Sequence, residues 1–133
     1  MTVPASDLLR FAALDRHQAM AEYALDGTIT RANAVFLTLM GWDASLVGQS
    51  LAVLLPPDAP AGALSSPWQA LSRGESVHGE YARLSARGTR VTVRGSYLPL
   101  IDDTGEVTGA IEVASTATPA RSAADDARLD FEG

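Results

Sequence analysis

The 133-residue chain contains no cysteine, and all ten of its basic residues are arginine, so lysine is absent as well. Without a thiol there is no disulfide staple, no thiolate zinc site, no cysteine nucleophile, and no photochemistry that adds a thiol to a flavin. No apolar run approaches the ~20 residues that a membrane-spanning helix needs, which excludes a membrane-embedded chain. Basic residues are also scarce against sixteen acidic ones, giving a net charge of −6. That charge repels phosphate backbones and anionic lipid surfaces, so neither nucleic acid nor membrane is an expected partner. The first twenty residues carry Asp7, Arg10, Asp15 and Arg16 among the apolar positions and so hold no uninterrupted apolar stretch of the secretory kind; the expected compartment is the cytoplasm.

Hydrophobic residues make up 47% of the chain, but 23 of them are alanine, so the core is built from few large side chains. The length suits one domain. Residues 6–16 place Leu8, Phe11 and Ala12 on one helical face with Leu9 at its margin, after Ser6 as a cap. Two short extended runs then flank Asp26-Gly27, the pattern of a β-hairpin. Asn33 precedes Val35, Phe36, Leu39 and Met40 at helical spacing, and is the expected N-cap of a helix from Ala34, with a worth of ~1 kcal/mol. Pro56, Pro57, Pro60 and Gly62 limit the next stretch to short helices and loop. A two-turn helix is expected over 67–73, opened by Pro67 and stopped by Gly74. From residue 77 the period becomes two, and 77–84, 89–101 and 106–115 read as three consecutive antiparallel strands. Alternation sets Val91, Val93, Gly95 and Tyr97 on one face of the middle strand. The outward side is assigned Ala82, Leu84, Leu98, Leu100, Ala110 and Ala114, among Thr92, Arg94 and Glu112.

This order, with a hairpin and a later meander sharing one sheet, resembles the PAS domain. Residues 18–42, QAMAEYALDGTITRANAVFLTLMGW, look like the opening of PAS domains in bacterial chemotaxis receptors; WQALSRGESVHGEYAR (68–83) and GTRVTVRGSYLPLIDDTGEV (88–107) are similar to later segments of the same family. The resemblance implies an α+β PAS fold: a five-stranded antiparallel sheet with short helices on one face and an N-terminal amphipathic helix. It divides the chain into an N-terminal helical cap (1–16), the PAS domain (17–116) and a flexible tail or linker (117–133). The implied function is a sensory or regulatory module in signal transduction that senses a small molecule or mediates protein–protein interaction. The alternative is a ligand-free scaffold for homodimerisation or docking.

The candidate pocket comprises Phe36, Trp68, Tyr81, Val93 and Tyr97, with small residues such as Ala32, Ala34, Ala70 and Gly95 leaving room. The candidate dimer interface comprises Leu8, Leu9, Phe11, Ala12 and Leu98. Partners are a second copy and a signalling protein or fused output domain. Departures from the family pattern bear on cofactors. Gly48-Gln49-Ser50-Leu51 has no histidine pair, Thr92 stands where tryptophan is common, and Leu98 stands where asparagine is common, so no cofactor is expected; noncovalent flavin or haem are the alternatives the resemblance admits. The family's closing Asp-x-Thr is replaced by Ser115-Thr116-Ala117-Thr118. His78, by alternation, faces away from Val77 and Tyr81. No Gly-x-Ser-x-Gly elbow and no His-x-x-x-His pair is present, and the carboxylates Glu75, Glu80, Asp102 and Asp103 fall at strand ends or turns, so neither catalysis nor a metal site is expected.

Overall fold

A computed structural model describes residues 5–60, 62 and 65–116. The elements are α1 (Ala5–His17), β1 (Ala19–Ala24), β2 (Ile29–Ala32), α2 (Ala34–Met40), two 3-10 turns (Ala44–Leu46 and Leu51–Leu54), α3 (Ser65–Ser72), β3 (Val77–Leu84), β4 (Arg90–Ile101) and β5 (Val107–Thr116). The strands form one antiparallel sheet in the order β2-β1-β5-β4-β3. The expected hairpin and meander are therefore joined edge to edge, with the last strand in the middle. The expected tail falls on residues 117–133, outside the described residues.

α3 begins two residues before Pro67, because a proline in the first turn removes only an N–H that has no intrahelical partner anyway. The β1–β2 turn depends on Gly27, whose φ is +89° and whose missing side chain leaves the place where the indole Nε1 of Trp68 comes within 3.1 Å of an ideal Cβ. Asp26 closes that turn by accepting from the Thr28 amide.

One face of the sheet carries the core. Tyr23, Val93, Tyr97, Ala21, Ala110 and Ala114 are buried against Phe36 and Met40 of α2, Leu46, Leu51 and Leu54 of the 3-10 turns, and Leu71 of α3. The register corrects the assignment of β5. Tyr97 stands opposite Glu112 and Gly95 opposite Ala114, so Ala110, Glu112 and Ala114 face inward, and Ile111 and Val113 face out beside Leu98 and Ser96. The physical reason is volume. The inner face already holds Tyr23, Tyr97 and Trp68, and only small neighbours on β5 let those rings reach the sheet. Gly95 opens no cavity either, since a Cβ there would collide with the Val113 carbonyl; the gap is filled by backbone.

Asn33 does more than the single capping bond expected of it. Its Oδ1 accepts from the Phe36 amide at 2.8 Å, which is the cap, and from the Met20 amide at 3.1 Å. Its Nδ2 donates to the carbonyls of Asp15 (2.8 Å) and Gln18 (2.7 Å). One side chain, 6% exposed, thus fixes the end of α1, the start of β1 and the start of α2. Asn33→Ala is accordingly expected to cost about 3 kcal/mol, the capping loss plus two or three newly unsatisfied backbone groups, rather than ~1 kcal/mol. Urea denaturation of the two proteins checks this; a loss of 1 kcal/mol or less would show that water replaces the other bonds without penalty.

Candidate functional site

The inner face carries a polar cluster that an ordinary core would not need. β1 contributes Tyr23, β3 contributes Tyr81 and Arg83, β4 contributes Tyr97, β5 contributes Glu112, and α3 lays Trp68 across them. Each strand residue is brought in by alternation: Tyr81 pairs with Val93 and Arg83 with Val91, both on the inner face of β4. The rings meet at aromatic packing distances. Trp68 lies 5.5 Å from Tyr23 and 5.8 Å from Tyr97, the latter edge-on, and Tyr81 meets Tyr97 at 5.6 Å, nearly perpendicular.

Two charged groups are sealed among these rings, Arg83 at 4% exposure and Glu112 at 1%. The Tyr23 hydroxyl donates to Oε1 of Glu112 at 2.6 Å across 89 residues of sequence. The guanidinium of Arg83 donates through Nη2 to the Tyr97 hydroxyl at 2.8 Å and through Nη1 to the Ala82 carbonyl at 3.0 Å, and it stacks 5.0 Å above the Tyr81 ring. Burial pushes the Glu112 carboxyl above its ordinary value, opposed by the Tyr23 hydroxyl, Arg83 and the Tyr97 hydroxyl. Burial, and secondarily the Glu112 charge, push both phenols up, so Tyr23 and Tyr97 stay protonated donors. Three buried atoms of this cluster have no hydrogen-bond partner among the described residues: Nε of Arg83, the hydroxyl of Tyr81 and Nε1 of Trp68. Arg83 and Tyr81 line a groove of about 700 Å³ between β3, an edge strand of the sheet, and residues 55–60, while Nε1 of Trp68 faces the Gly27 turn.

Of the five pocket candidates, Trp68, Tyr81 and Tyr97 form this cluster, whereas Phe36 and Val93 are fully buried in the apolar core beside it. Arg83 and Glu112 were not among the candidates. The signal for Arg83 was its place two residues after Tyr81 on the same face; that for Glu112 was its phase with Ala110 and Ala114, masked because Ile111 and Val113 look more like inward residues. The interface candidates lie elsewhere. Leu8, Leu9 and Phe11 are exposed on α1, with Leu14 beside them and Ala12 half-buried, and Leu98 is exposed on the outer face of β4. α1 is held against the end of β2 that lies away from the β1–β2 turn; there Asp15 binds Arg31 at 2.7 Å and Phe11 lies 5.3 Å from the Arg31 guanidinium.

His78 lies on the outer face, its Nδ1 2.7 Å from the Ser96 hydroxyl, and His17 ends α1 in solvent. Neither imidazole can reach a haem iron on the inner face, so the residues present do not fit that group. Among the described residues no group of three His, Asp or Glu could hold a metal ion, and no helix is long and apolar enough to cross a membrane.

A protein-family model described as the PAS fold matches residues 17–122. The biofilm dispersion protein BdlA of Pseudomonas aeruginosa is 36% identical over 107 residues, which is 77% of this chain and 25% of BdlA, so the chain spans about a quarter of that relative. Two solved structures share the fold. One is the PAS domain of a protein from Colwellia psychrerythraea, with 22% identity, a TM-score of 0.75, and coverage of 85% of this chain and 98% of that one. The other comes from work on the light-oxygen-voltage domain mechanism with a flavin analogue, with 21% identity, a TM-score of 0.75, and coverage of 98% and 100%.

The buried carboxyl sets a pH dependence. Because the folded state holds the Glu112 proton more tightly than the unfolded chain, this group's contribution to stability is fully present below the ordinary 4.5 and is lost as pH rises through the folded-state value. The parent is therefore expected to gain stability relative to Glu112→Gln as buffer is acidified from neutral toward 4.5. Urea midpoints of both proteins across that range provide the measurement; a difference constant with pH would show that Glu112 titrates alike folded and unfolded.

Proposed function

The chain belongs to the PAS-fold family, and from that premise we propose that it is the sensory part of a signalling protein, taking a small molecule against the inner face of its sheet without chemistry of its own. The supporting observation is the cost of the cluster. A scaffold with a filled core would place apolar side chains where Arg83 and Glu112 stand, since burying two charges and leaving three polar groups without partners is unfavourable unless something else satisfies them. An occupant bonding to Arg83 or Tyr81 would redistribute the bonds to Tyr97, Glu112 and Tyr23. Those residues lie on β4, β5 and β1, so the change reaches three adjacent strands and through them the outer face.

The cofactor reading follows from the residues present. With no cysteine a flavin–thiol adduct has no nucleophile, a noncovalent flavin would lack the tryptophan and asparagine that the family commonly has where Thr92 and Leu98 stand, and with His78 on the far face a haem has no imidazole. Protein purified from cells is expected to be colourless yet to carry or accept a small molecule. Native mass spectrometry, absorption spectra and a thermal-shift panel of acids, neutral compounds and amines check this. A Soret or flavin spectrum at near-stoichiometric occupancy would overturn the cofactor reading, and a bare polypeptide mass with no response to any compound class would overturn the sensory one.

A second reading, homodimerisation, rests on a separate observation. Leu8, Leu9, Phe11 and Leu14 are 57%, 72%, 40% and 52% exposed, so α1 leaves much of its apolar surface at these positions uncovered by its own domain, while Leu98 leaves the outer sheet face partly uncovered. A second copy of the chain is the proposed cover. Light scattering at high micromolar concentration is expected to give a dimer for the parent and a monomer for the Leu8→Glu, Phe11→Glu double variant. A monomeric parent would remove this reading.

A further inference from the structure

We propose that the groove at the β3 edge binds a small monocarboxylate with an apolar body, its carboxylate held by Arg83 with the Tyr81 hydroxyl as a second donor; this deepens the sensory reading above and rests on it.

The argument is one of donors and acceptors. The groove is walled by Leu55, Pro56, Pro67, Ala70 and Val77, and its volume of about 700 Å³ is that of a small-molecule site. At its inner wall Nε of Arg83 and the hydroxyl of Tyr81 have no partner among the described residues. Every other charge along it is engaged. Asp58 binds Arg90 at 2.8 Å, Glu80 binds Arg94 at 2.8 Å, and His78 lies between the hydroxyls of Ser76 and Ser96. The remaining nearby carboxyl, Glu112, does not border the groove and already accepts from Tyr23. A ligand bringing an ammonium group would find no unpaired carboxylate along it, only Asp58 and Glu80, each already bound to an arginine. One bringing a carboxylate would find a buried guanidinium, the group whose planar fork matches it, in surroundings of low dielectric.

Both donor atoms are shut off from water as the groove stands. Admission follows from a rotation of Tyr81, whose hydroxyl no hydrogen bond restrains and whose ring covers the guanidinium. The Asp58–Arg90 pair ties the outer wall to the start of β4, and both side chains are more than half exposed, so its opening costs little.

Calorimetric titration of the full chain with phenylacetate and hexanoate, their amides, and phenethylamine tests the proposal. The acids are expected to bind, the amides to bind about tenfold more weakly or worse, and the amine not to bind. Arg83→Gln should weaken the acids about tenfold or more and leave the amides unchanged, and Tyr81→Phe should weaken the acids a few-fold. Ala70→Trp, which fills the groove from α3 and keeps Arg83, should abolish all binding and keeps the test in force if Arg83→Gln fails to fold. Equal affinity for acids and amides, acid binding that survives Ala70→Trp, or no acid binding at all would overturn the proposal. Amine binding, or amide binding tighter than that of the acids, that Ala70→Trp blocks would overturn the carboxylate while leaving the sensory reading in place. Silence from every class, together with a bare mass for the purified protein, would remove both.

Discussion

The bond from the Tyr23 hydroxyl to Glu112 is the contact around which the inner face is arranged, because it joins the first strand to the last and places a carboxyl where only donors can satisfy it. Once that carboxyl is inside, its surroundings must supply hydroxyls and a cation, and they do. Tyr97 stands directly opposite on the neighbouring strand, and Arg83 reaches the Tyr97 hydroxyl from one strand further. The aromatic character of the site follows from the same requirement. Tyrosine supplies a hydroxyl at the end of a large apolar ring, and Tyr23 and Tyr97 bond to Glu112 and Arg83 while still excluding water. Ala21, Ala110 and Ala114 are the complement of those rings, small where the rings are large.

Much of the architecture was legible because local patterns and long-range packing agreed. The change from helical to twofold period near residue 77, the Asp26-Gly27 hairpin and the Asn33 cap each have one dominant local cause, and they stand in the fold where these causes put them. The order of motifs then suggested how hairpin and meander come together, which no local pattern contains. Two things were not legible, and for one reason. The facing of β5 and the extra bonds of Asn33 both depend on what a distant segment brings to the same place. In β5, Ile111 and Val113 are the more apolar set, yet the side facing Tyr97 and Trp68 has room only for alanine and a carboxyl that those rings can bond. In the same way, nothing near Asn33 in sequence announces that the Met20 amide and the carbonyls of Asp15 and Gln18 will converge on it.

The candidate site was half legible for a related reason. Aromatic residues announce themselves by rarity, and Trp68, Tyr81 and Tyr97 could be named from the sequence alone. Arginine and glutamate are common, and their ordinary place is in water. Only the register shows that Arg83 and Glu112 share a dry face. Val93 and Phe36 are the converse case, inward residues at the right period that are sealed in the apolar core and bring no polar group to the cluster.

The position of β5 also has a consequence for how the chain comes into being. The strand at the centre of the sheet is the last of the five to be synthesised, and α1, α2 and the β1–β2 hairpin are finished long before it. Until residues 107–116 emerge, β1 has no neighbour on its inner side, β4 has one on only one edge, and Tyr23 has no carboxyl to bond. A two-stranded ribbon of this kind is marginal in water, and pairings this far apart in sequence form late. The sheet therefore cannot be completed until its last-made strand is available, because β5 alone joins the β1–β2 ribbon to the β3–β4 ribbon and brings Tyr23 its carboxyl.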